Sequence, residues 1–385
     1  MRRASRPPTV LCVQYTNPAS LPVLERIGAI LAKQGQDVFF VGTQGFGQAH
    51  LELELGPSVR VSLVKFRTPG ALQKLNYVWW SLRVLAFAIV LRPVSIYASD
   101  VMATPAALIA AMLLRIPTVY HEHDYAAGQR TIFDALLQNT RSALLRRAVC
   151  SVAPNEQRMM QLVKDGARED RATVVRNYPS VGEVGPERSV CSNPVLWLHY
   201  HGSLVPARLP LSLIEALALL PSQVKLRIMG FEPYGRDYRN ELLRRVEELN
   251  LGNRVDVRKS VARHRELLEI ANQGDVGLCL LGDLDEFNHR SMVGASQKPY
   301  EYLACGMAVL VERTPEWCQA FVDPGYGLAC DSGKPESIAS AIGQFVDDRS
   351  RTREMGELGR RRIMVEWNYE NEFGPVAASF GTVRR

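Results

Sequence analysis

Short apolar runs alternate with segments of helical periodicity along most of the chain, and this alternation constrains the fold more than any other feature. The first such unit consists of a strand at Thr9–Gln14, a helix at Leu24–Lys33 and a strand at Asp37–Val41. Strands separated by a helix in this way are typical of a parallel sheet. The pattern recurs as far as Val175 and restarts at Val195.

A stretch without periodicity, residues 180–194, divides this pattern into two halves. It is rich in Gly, Pro, Ser and charged residues, which is typical of a linker. The chain has 385 residues, too many for one ordinary core. We therefore expect two doubly wound α/β domains, residues 1–185 and 195–367, facing a central cleft. Residues 368–385 are expected to pack back on the first domain.

The composition, with 46% hydrophobic and 22% charged residues, is typical of a globular protein. The net charge of +6 is uneven, because residues 1–190 contain 22 Lys and Arg against 14 Asp and Glu. A basic first half permits contact with an anionic partner such as a phospholipid surface, and a solvated basic surface explains it equally well. No run of Lys and Arg interleaved with aromatic residues predicts nucleic-acid binding.

The most apolar segment is Tyr77–Leu91, which includes Arg83 and is shorter than the ~20 apolar residues of a bilayer span. We expect a helix buried against a sheet. The alternative is a helix at a membrane surface, with Trp79 and Trp80 at the level of the lipid headgroups.

The seven cysteines include no pair with C-x-x-C spacing, so neither a zinc site nor a redox site is predicted. Cys12, Cys279 and Cys305 lie inside apolar runs, where a thiol acts as a small core residue. This usage predicts a reduced, cytoplasmic protein, with peripheral attachment to the inner membrane face left open.

The most informative segment is QKPYEYLACGMAVLV at residues 297–311. A helix that opens near Pro299 would offer N–H groups to a phosphate, and Lys298 would add a positive charge. Glu301, one turn into this helix, could accept both hydroxyls of a ribose. A capped helix with a favourable first-turn acid is the alternative. The glycine-rich signatures of NAD dehydrogenases and P-loop enzymes are absent.

A second segment, LHYHGSLVPARL at Leu198–Leu209, combines a strand end with a basic residue just before a helix. Gly202 allows a ligand to approach the backbone closely, and Arg208 can bond two phosphate oxygens. A turn with a surface arginine is the alternative.

The third segment is YHEHD at Tyr120–Asp124, at the end of a first-half strand. His121, His123 and Asp124 are residue types that bind metals. The two rings would point to opposite faces of a continuing strand, however, and no further ligand is evident, so no metal is expected. A hydrogen-bonded histidine and a histidine that contacts substrate are the remaining interpretations.

Together these segments resemble the retaining glycosyltransferases of the GT-B fold, in particular family 4. HGSL…ARL is similar to the family's glycine loop and diphosphate-binding arginine, and KPYEYLACGMAVLV is similar to its nucleotide-binding helix. HEHD matches the histidine of its acceptor-side loop. The resemblance covers nearly the whole chain and implies two Rossmann-like domains, the first for the acceptor and the second for the donor.

The resemblance also implies roles at the donor. Glu301 would hold the ribose, and Arg208 and Lys298 would neutralise the diphosphate. Gly202 and Ser203 would approach the diphosphate through their backbone. The implied reaction is a retaining, metal-independent transfer from a nucleotide sugar, with a UDP-sugar expected, to a glycan, lipid-linked or small-molecule acceptor.

The remaining roles concern the base and the sugar. Val261 would lie beside the base, and His123 would contact the transferred sugar near its anomeric carbon, with Asp124 next to it. No metal and no resident cofactor is expected, because fixed cations can stabilise the departing nucleoside diphosphate.

Three positions depart from the family pattern, in which Glu, Lys and Pro are usual: Val293, Leu213 and Ser296. The first removes the usual contact to the donor sugar. Two alternatives therefore stay open, a sugar-nucleotide epimerase on the same fold and a non-catalytic nucleotide-sugar binding protein. An epimerase would need paired carboxylates, for which the candidates are Asp124, Asp283, Asp285 and Glu286.

Overall fold

The computed structural model describes residues 7–54, 56–125, 131–188, 194–233, 235–282 and 286–380. Contacts divide this chain into two units. The first unit ends at Arg176 and takes up the chain again at Tyr369, and the second unit is Asn177–Asn368.

The first unit contains a parallel sheet of seven strands in the order β3-β2-β1-β4-β5-β6-β7. Its strands are β1 (Thr9–Val13), β2 (Asp37–Thr43), β3 (Val59–Val64), β4 (Ser95–Ser99), β5 (Thr118–His121), β6 (Cys150–Ala153) and β7 (Ala172–Val174). Its helices are α1 (Pro22–Lys33), α2 (Ala71–Leu91), α3 (Thr104–Leu114), α4 (Ile132–Arg147), α5 (Glu156–Lys164) and α14 (Tyr369–Ser379).

The second unit contains a parallel sheet of six strands in the order β10-β9-β8-β11-β12-β13. Its strands are β8 (Leu196–Ser203), β9 (Val224–Phe231), β10 (Val255–Lys259), β11 (Val276–Cys279), β12 (Ala308–Glu312) and β13 (Gly327–Cys330). Its helices are α6 (Ser212–Ala218), α7 (Tyr238–Glu248), α8 (His264–Ala271), α9 (Phe287–Arg290), α10 (Lys298–Ala304), α11 (Pro315–Trp317), α12 (Pro335–Asp347) and α13 (Arg349–Val365).

Both sheets are covered by helices on both faces, which is why their central strands are apolar runs without alternation. β1, β4 and β12 are buried along their whole length. In the first unit the strand order reverses between β1 and β4, and in the second unit it reverses between β8 and β11. This is the arrangement of a doubly wound fold. The expected α/β architecture is confirmed.

The boundary between the units precedes the region in which the sequence predicts a linker. Residues 177–188 lie in the second unit, where the Gly185 N–H donates to the Ala304 carbonyl at 2.9 Å. Arg188 donates to the Gly274 carbonyl at 2.6 Å. Residues 189–193 of the expected linker fall outside the described residues. At the other end, α14 packs on α1 and buries Tyr369 and Phe373 beside it.

Helix α2 packs against the sheet of the first unit, as expected, but only one of its sides is buried. Tyr77, Trp80 and Val84 lie in the core, and Trp80 is 0% exposed whereas Trp79 is 55% exposed. Trp80 therefore cannot lie at a membrane surface. Within the described ranges, α2 is the one helix long and apolar enough to cross a membrane.

A buried ion pair stabilises the first unit beneath β5. The Arg141 guanidinium donates to both carboxylate oxygens of Glu122, with Nη2 at 2.8 Å from Oε1, and Tyr120 donates to Oε2 at 2.6 Å. The Arg141 side chain is 2% exposed and that of Glu122 is 4% exposed. Arg141 also contacts Asp165 at 2.8 Å. Each charge is therefore compensated inside the fold.

Replacing Arg141 by Met should lower the free energy of unfolding by about 3–5 kcal/mol, because it leaves Glu122 buried without its counter-charge. Chemical denaturation measures this. The matched control is Arg168→Met, whose pair with Asp170 is exposed on both sides and should contribute far less to stability. Equal losses in the two variants would contradict the assigned role of the buried pair.

Candidate functional site

The candidate donor site lies at the carboxyl ends of β8 and β11 in the second unit. These two strands are neighbours at the point where the strand order reverses, which is where ligands bind in open α/β sheets. β8 ends at Ser203, and the chain that leaves β11 leads through α9 to α10. The fold thereby brings the glycine segment and the nucleotide-binding helix of the sequence prediction to one edge of the sheet.

Lys298 lies directly over Gly202. A Cβ atom at Gly202 would be 3.6 Å from Lys298 Cδ and 3.8 Å from Nζ, and Gly202 has a φ of +133°, which disfavours any side chain. The Lys298 ammonium also lies 4.8 Å from the ring centroid of Tyr200. The absence of a side chain at Gly202 therefore leaves the backbone at the end of β8 accessible beside a fixed positive charge.

Arg208 supplies a second positive charge at this point. The turn after β8 positions it, with the Arg208 N–H bonded to the Val205 carbonyl at 3.0 Å. Burial lowers the pKa of Lys298 to about 8, and the positive charge of Arg208 contributes to this shift. In the described part of the chain the Arg208 guanidinium forms no ion pair with a carboxylate. The positive charges of Lys298 and Arg208 therefore lie close enough to influence each other after the end of β8.

Glu301 is 2% exposed, and its carboxylate lies between two imidazole rings. Oε2 is 3.0 Å from His201 Nε2, and Oε1 is 3.2 Å from His264 Nε2. His264 Nε2 is also 3.4 Å from Glu183 Oε1. Glu301 on α10 therefore contacts side chains of β8 and α8 at the same edge of the sheet.

The two histidines differ in protonation. Burial lowers the pKa of His264, but the carboxylates of Glu301 and Glu183 raise it overall to about 9, so the ring is cationic at neutral pH. Burial lowers the pKa of His201. A neutral His201 donates from Nε2 to Glu301 and accepts at Nδ1 from His199 Nε2, 3.2 Å away. No pattern in the sequence points to His201 or His264 as partners of Glu301.

The two remaining predicted donor residues lie at the same carboxyl edge of the sheet. Val261 is half-buried in the loop between β10 and α8, and Ser203 is half-buried at the end of β8. Helix α10 begins at Lys298, one residue before the expected start, and has only seven residues. Its dipole is therefore short, and the side chains carry most of the positive charge at the site.

The three departures from the family pattern are packing residues. Leu213 is fully buried in the core of the second unit, and Val293 packs against the apolar cluster around α10. Ser296 is buried and its N–H donates to the Met292 carbonyl at 2.7 Å. The side chains at these positions supply no charge to the site. Asp283 and Asp285 lie outside the described residues.

In the first unit, two of the four polar residues that follow Tyr120 have structural partners inside the fold. His121 bonds the Tyr97 hydroxyl, and Glu122 forms the buried ion pair with Arg141. The expectation that the His121 and His123 rings diverge is wrong, because β5 ends at His121 and the ring centroids lie 4.0 Å apart. The described residues contain no cluster of three metal-ligand types.

His123 is 7% exposed, and neither of its ring nitrogens has a hydrogen-bond partner among the described residues. Burial lowers its pKa to about 4, so the ring is neutral at pH 7. Asp124 is largely exposed and contacts Arg158 at 3.3 Å. His123 and Asp124 lie in the first unit, and the other six predicted site residues lie in the second.

Asp100 positions the His123 loop, and the sequence prediction missed it. It follows β4 directly with a φ of +62°, and its Oδ1 accepts from the His123 N–H at 2.7 Å. Burial raises the pKa of Asp100 to about 8, and the neighbouring Asp124 adds to this. The available signal was an acidic residue immediately after a buried strand.

Two family models match the chain. The Glycosyl transferase 4-like domain matches residues 20–178, and Glycosyl transferases group 1 matches residues 197–362. The chain belongs to the group 1 glycosyltransferases. This glycosyltransferase is therefore an enzyme that depends on a nucleotide-sugar donor, and its two doubly wound units give it the GT-B fold.

Solved structures of similar fold cover nearly the whole glycosyltransferase. HepE from Anabaena, solved with UDP and glucose, has a TM-score of 0.72 at 19% identity, covering 97% of this chain and 100% of its own. Sucrose-phosphate synthase from Thermosynechococcus elongatus has a TM-score of 0.73 at 15% identity, covering 98% of both chains. WaaG, a glycosyltransferase of lipopolysaccharide biosynthesis, has a TM-score of 0.66 at 14% identity, covering 97% and 100%. No curated protein matches the sequence.

The charged pairing of His264 predicts a pH dependence of stability. Its pKa of about 9 in the folded protein exceeds the ordinary value of 6.5. The stabilisation is therefore complete below about pH 6.5 and is lost as the pH rises through about 9, with a loss of about 3 kcal/mol at most. Thermal unfolding between pH 6 and pH 9.5 measures it.

The variant His264→Gln should be less stable than the wild type at about pH 6 and should lose this part of the slope. His50→Gln, at an exposed position of the first unit, is the control and should keep the wild-type slope. A His264→Gln profile parallel to that of the wild type would show that the imidazole is not charged in the folded state.

Proposed function

We propose that this glycosyltransferase is a retaining enzyme that transfers a sugar from a UDP-sugar without a metal ion. The observation that carries the proposal is the position of the Lys298 ammonium over the backbone at Gly202, with the Arg208 charge near enough to lower its pKa and the Glu301 carboxylate buried one turn along α10. HepE has been solved with UDP and with UDP-glucose, which supports uridine as the base.

Charge stabilisation of the leaving group is the proposed catalytic contribution of the second unit. Departure of UDP places new negative charge on the distal phosphate. Lys298 and Arg208 are held in position before the reaction, so they can stabilise this charge without reorganisation. Glu301 accepts the ribose hydroxyls, with Gly202 and Ser203 along the diphosphate and Val261 beside the base.

The proposed role of the first unit is to contact the transferred sugar and to bind the acceptor, a glycan, a lipid-linked sugar or a small molecule. His123 is neutral, so one ring nitrogen can accept a hydrogen bond from a sugar hydroxyl while the other donates. With Asp124 beside it, His123 is the proposed contact near the anomeric carbon. Retention then requires attack on the face from which UDP departs, and no protein nucleophile.

We also propose a reducing compartment, the cytoplasm, and no resident cofactor. The six described cysteines are free thiols, and five of them are buried. Burial raises the pKa of Cys279 and of Cys305, which keeps these thiols protonated and unreactive. Cys191 lies outside the described residues.

Removing one member of the donor site should abolish most of the transfer from UDP-sugars. Arg208→Ala and Glu301→Gln should each lower kcat/KM by about 10²-fold or more, the first through lost charge stabilisation and the second through lost ribose binding. Lys259→Ala, an exposed cation at the end of β10, is the control and should leave the rate unchanged. Wild-type rates in both site variants would contradict the proposal.

The same assay tests whether the reaction is metal-independent and retaining, and it distinguishes sugar transfer from epimerisation. Wild-type activity should persist in EDTA, and NMR of the product should show the anomeric configuration of the donor. Loss of activity in EDTA, restored by Mg²⁺, would contradict the metal-independent mechanism. Conversion of the UDP-sugar to an epimer without acceptor would identify an epimerase instead.

The lowered pKa of Lys298 predicts a pH profile. Lys298 carries its charge below a pKa of about 8 and loses it above, so kcat/KM for the donor should fall as the pH rises through about 8. Lys298→Arg should keep its charge and remove this fall. An unchanged alkaline limb in Lys298→Arg would assign the titration to another group.

A further inference from the structure

The first unit exposes apolar side chains on one layer of helices. Of the 25 large apolar side chains that are exposed in the described residues, seven lie on α2, four on α3 and three on α4. These helices are neighbours, because α3 packs against both α2 and α4. Tyr77 of α2 and Phe133 of α4 are also in contact, with ring centroids 5.3 Å apart. We call the exposed apolar side chains of α2, α3 and α4 the apolar face.

The outward side of α2 is apolar over nearly its whole length. Its seven exposed large apolar side chains lie between Leu72 and Val90, and Trp79 is among them. Neither α2 nor α3 contains an acidic residue. A soluble helix with one buried side normally places polar residues on the other. The outer side of α2 therefore lacks the polar surface of a helix that contacts only water.

The charges around α2 and α3 are almost all positive. Residues 55–121 contain seven Lys and Arg, and Asp100 is their only acidic residue. Lys65 and Lys74 are exposed near the start of α2. At the other end, Arg92 and Arg115 terminate α2 and α3 in the left-handed conformation, with φ of 46° and 53°. Both ends of the apolar face thus carry exposed cations.

A groove opens between α3 and α4 at the end of the layer that carries these arginines. It has a volume of about 420 Å³ and is lined by Leu108, Met112 and Leu144, with Arg115 and Arg147 beside them. An apolar groove next to two guanidinium groups matches an acyl chain attached to a phosphate.

We infer that the apolar face of α2, α3 and α4 is a membrane-binding surface that docks on an anionic phospholipid bilayer. Exposed Trp, Leu and Ile on one side with Lys and Arg at the ends are the features of a helix that lies in the bilayer interface. A second copy fits less well, because both ends of the apolar face carry cations, so a twofold interface would bring positive charges of the two copies together. The inference is independent of the sugar-transfer reaction.

Co-sedimentation with phosphatidylcholine vesicles, with and without phosphatidylglycerol, tests the proposal. The wild type should bind the anionic vesicles at low salt and bind less at high salt. Lys65→Gln combined with Lys74→Gln should weaken binding about fivefold for each charge removed. The control pair, Lys33→Gln with Lys259→Gln, removes two exposed charges elsewhere and should bind like the wild type.

The apolar contribution is tested with Leu75→Gln, Trp79→Gln and Leu82→Gln combined. These side chains are 66%, 55% and 53% exposed, so the variant should fold with an unchanged Tm and lose most vesicle binding. The control combines Leu219→Gln, Leu243→Gln and Val365→Gln, exposed apolar positions of the second unit. Quenching of tryptophan fluorescence by brominated lipid should be reduced in Trp79→Phe.

Two results would overturn the inference. One is wild-type protein that stays in the supernatant with anionic vesicles at low salt. The other is a triple variant of the apolar face that binds vesicles as the wild type does. If that variant instead converts a wild-type dimer into a monomer in sedimentation velocity, while vesicles bind neither form, the occupant of the face is a second copy and not a membrane.

Discussion

The contact of the Glu301 carboxylate with two imidazole rings is the interaction on which the candidate donor site depends. A carboxylate that is buried without partners costs several kcal/mol, so this one requires the rings of His201 and His264. Those rings come from the end of β8 and the start of α8, whereas Glu301 lies on α10. The contacts of this buried carboxylate therefore hold β8, α8 and α10 next to one another at the carboxyl edge of the sheet. They thereby fix the positions of Gly202 and Lys298.

The architecture could be predicted from sequence because it depends on local patterns. A parallel sheet covered on both faces needs apolar strands at regular intervals, and these are visible without any tertiary information. Lys298 and Glu301 could be predicted for the same reason, since they lie one turn apart on one helix. His201 and His264 could not, because only the fold brings residues so distant in sequence into contact.

The polar run His121–Asp124 shows why chemical character alone does not locate function. All four side chains are residue types that catalyse or bind metals. The structure uses His121 and Glu122 to satisfy buried groups, Tyr97 and Arg141. His123 differs from His121 only in what surrounds it, because neither of its ring nitrogens finds a partner in the described chain. Whether a buried polar group is structural or available depends on its neighbours, which the sequence does not state.

The unsatisfied features of the fold are the most informative about its ligands. Folded proteins pair buried polar groups and cover large apolar surfaces, because leaving either incomplete costs stability. The Lys298 ammonium lies at a position where burial lowers its pKa, and the large side chains of the apolar face are exposed to water. Each is unfavourable in the isolated chain and favourable once an anion or an apolar phase is added. The proposed ligands, a diphosphate at the second unit and an anionic bilayer at the first, are those whose chemistry complements these features.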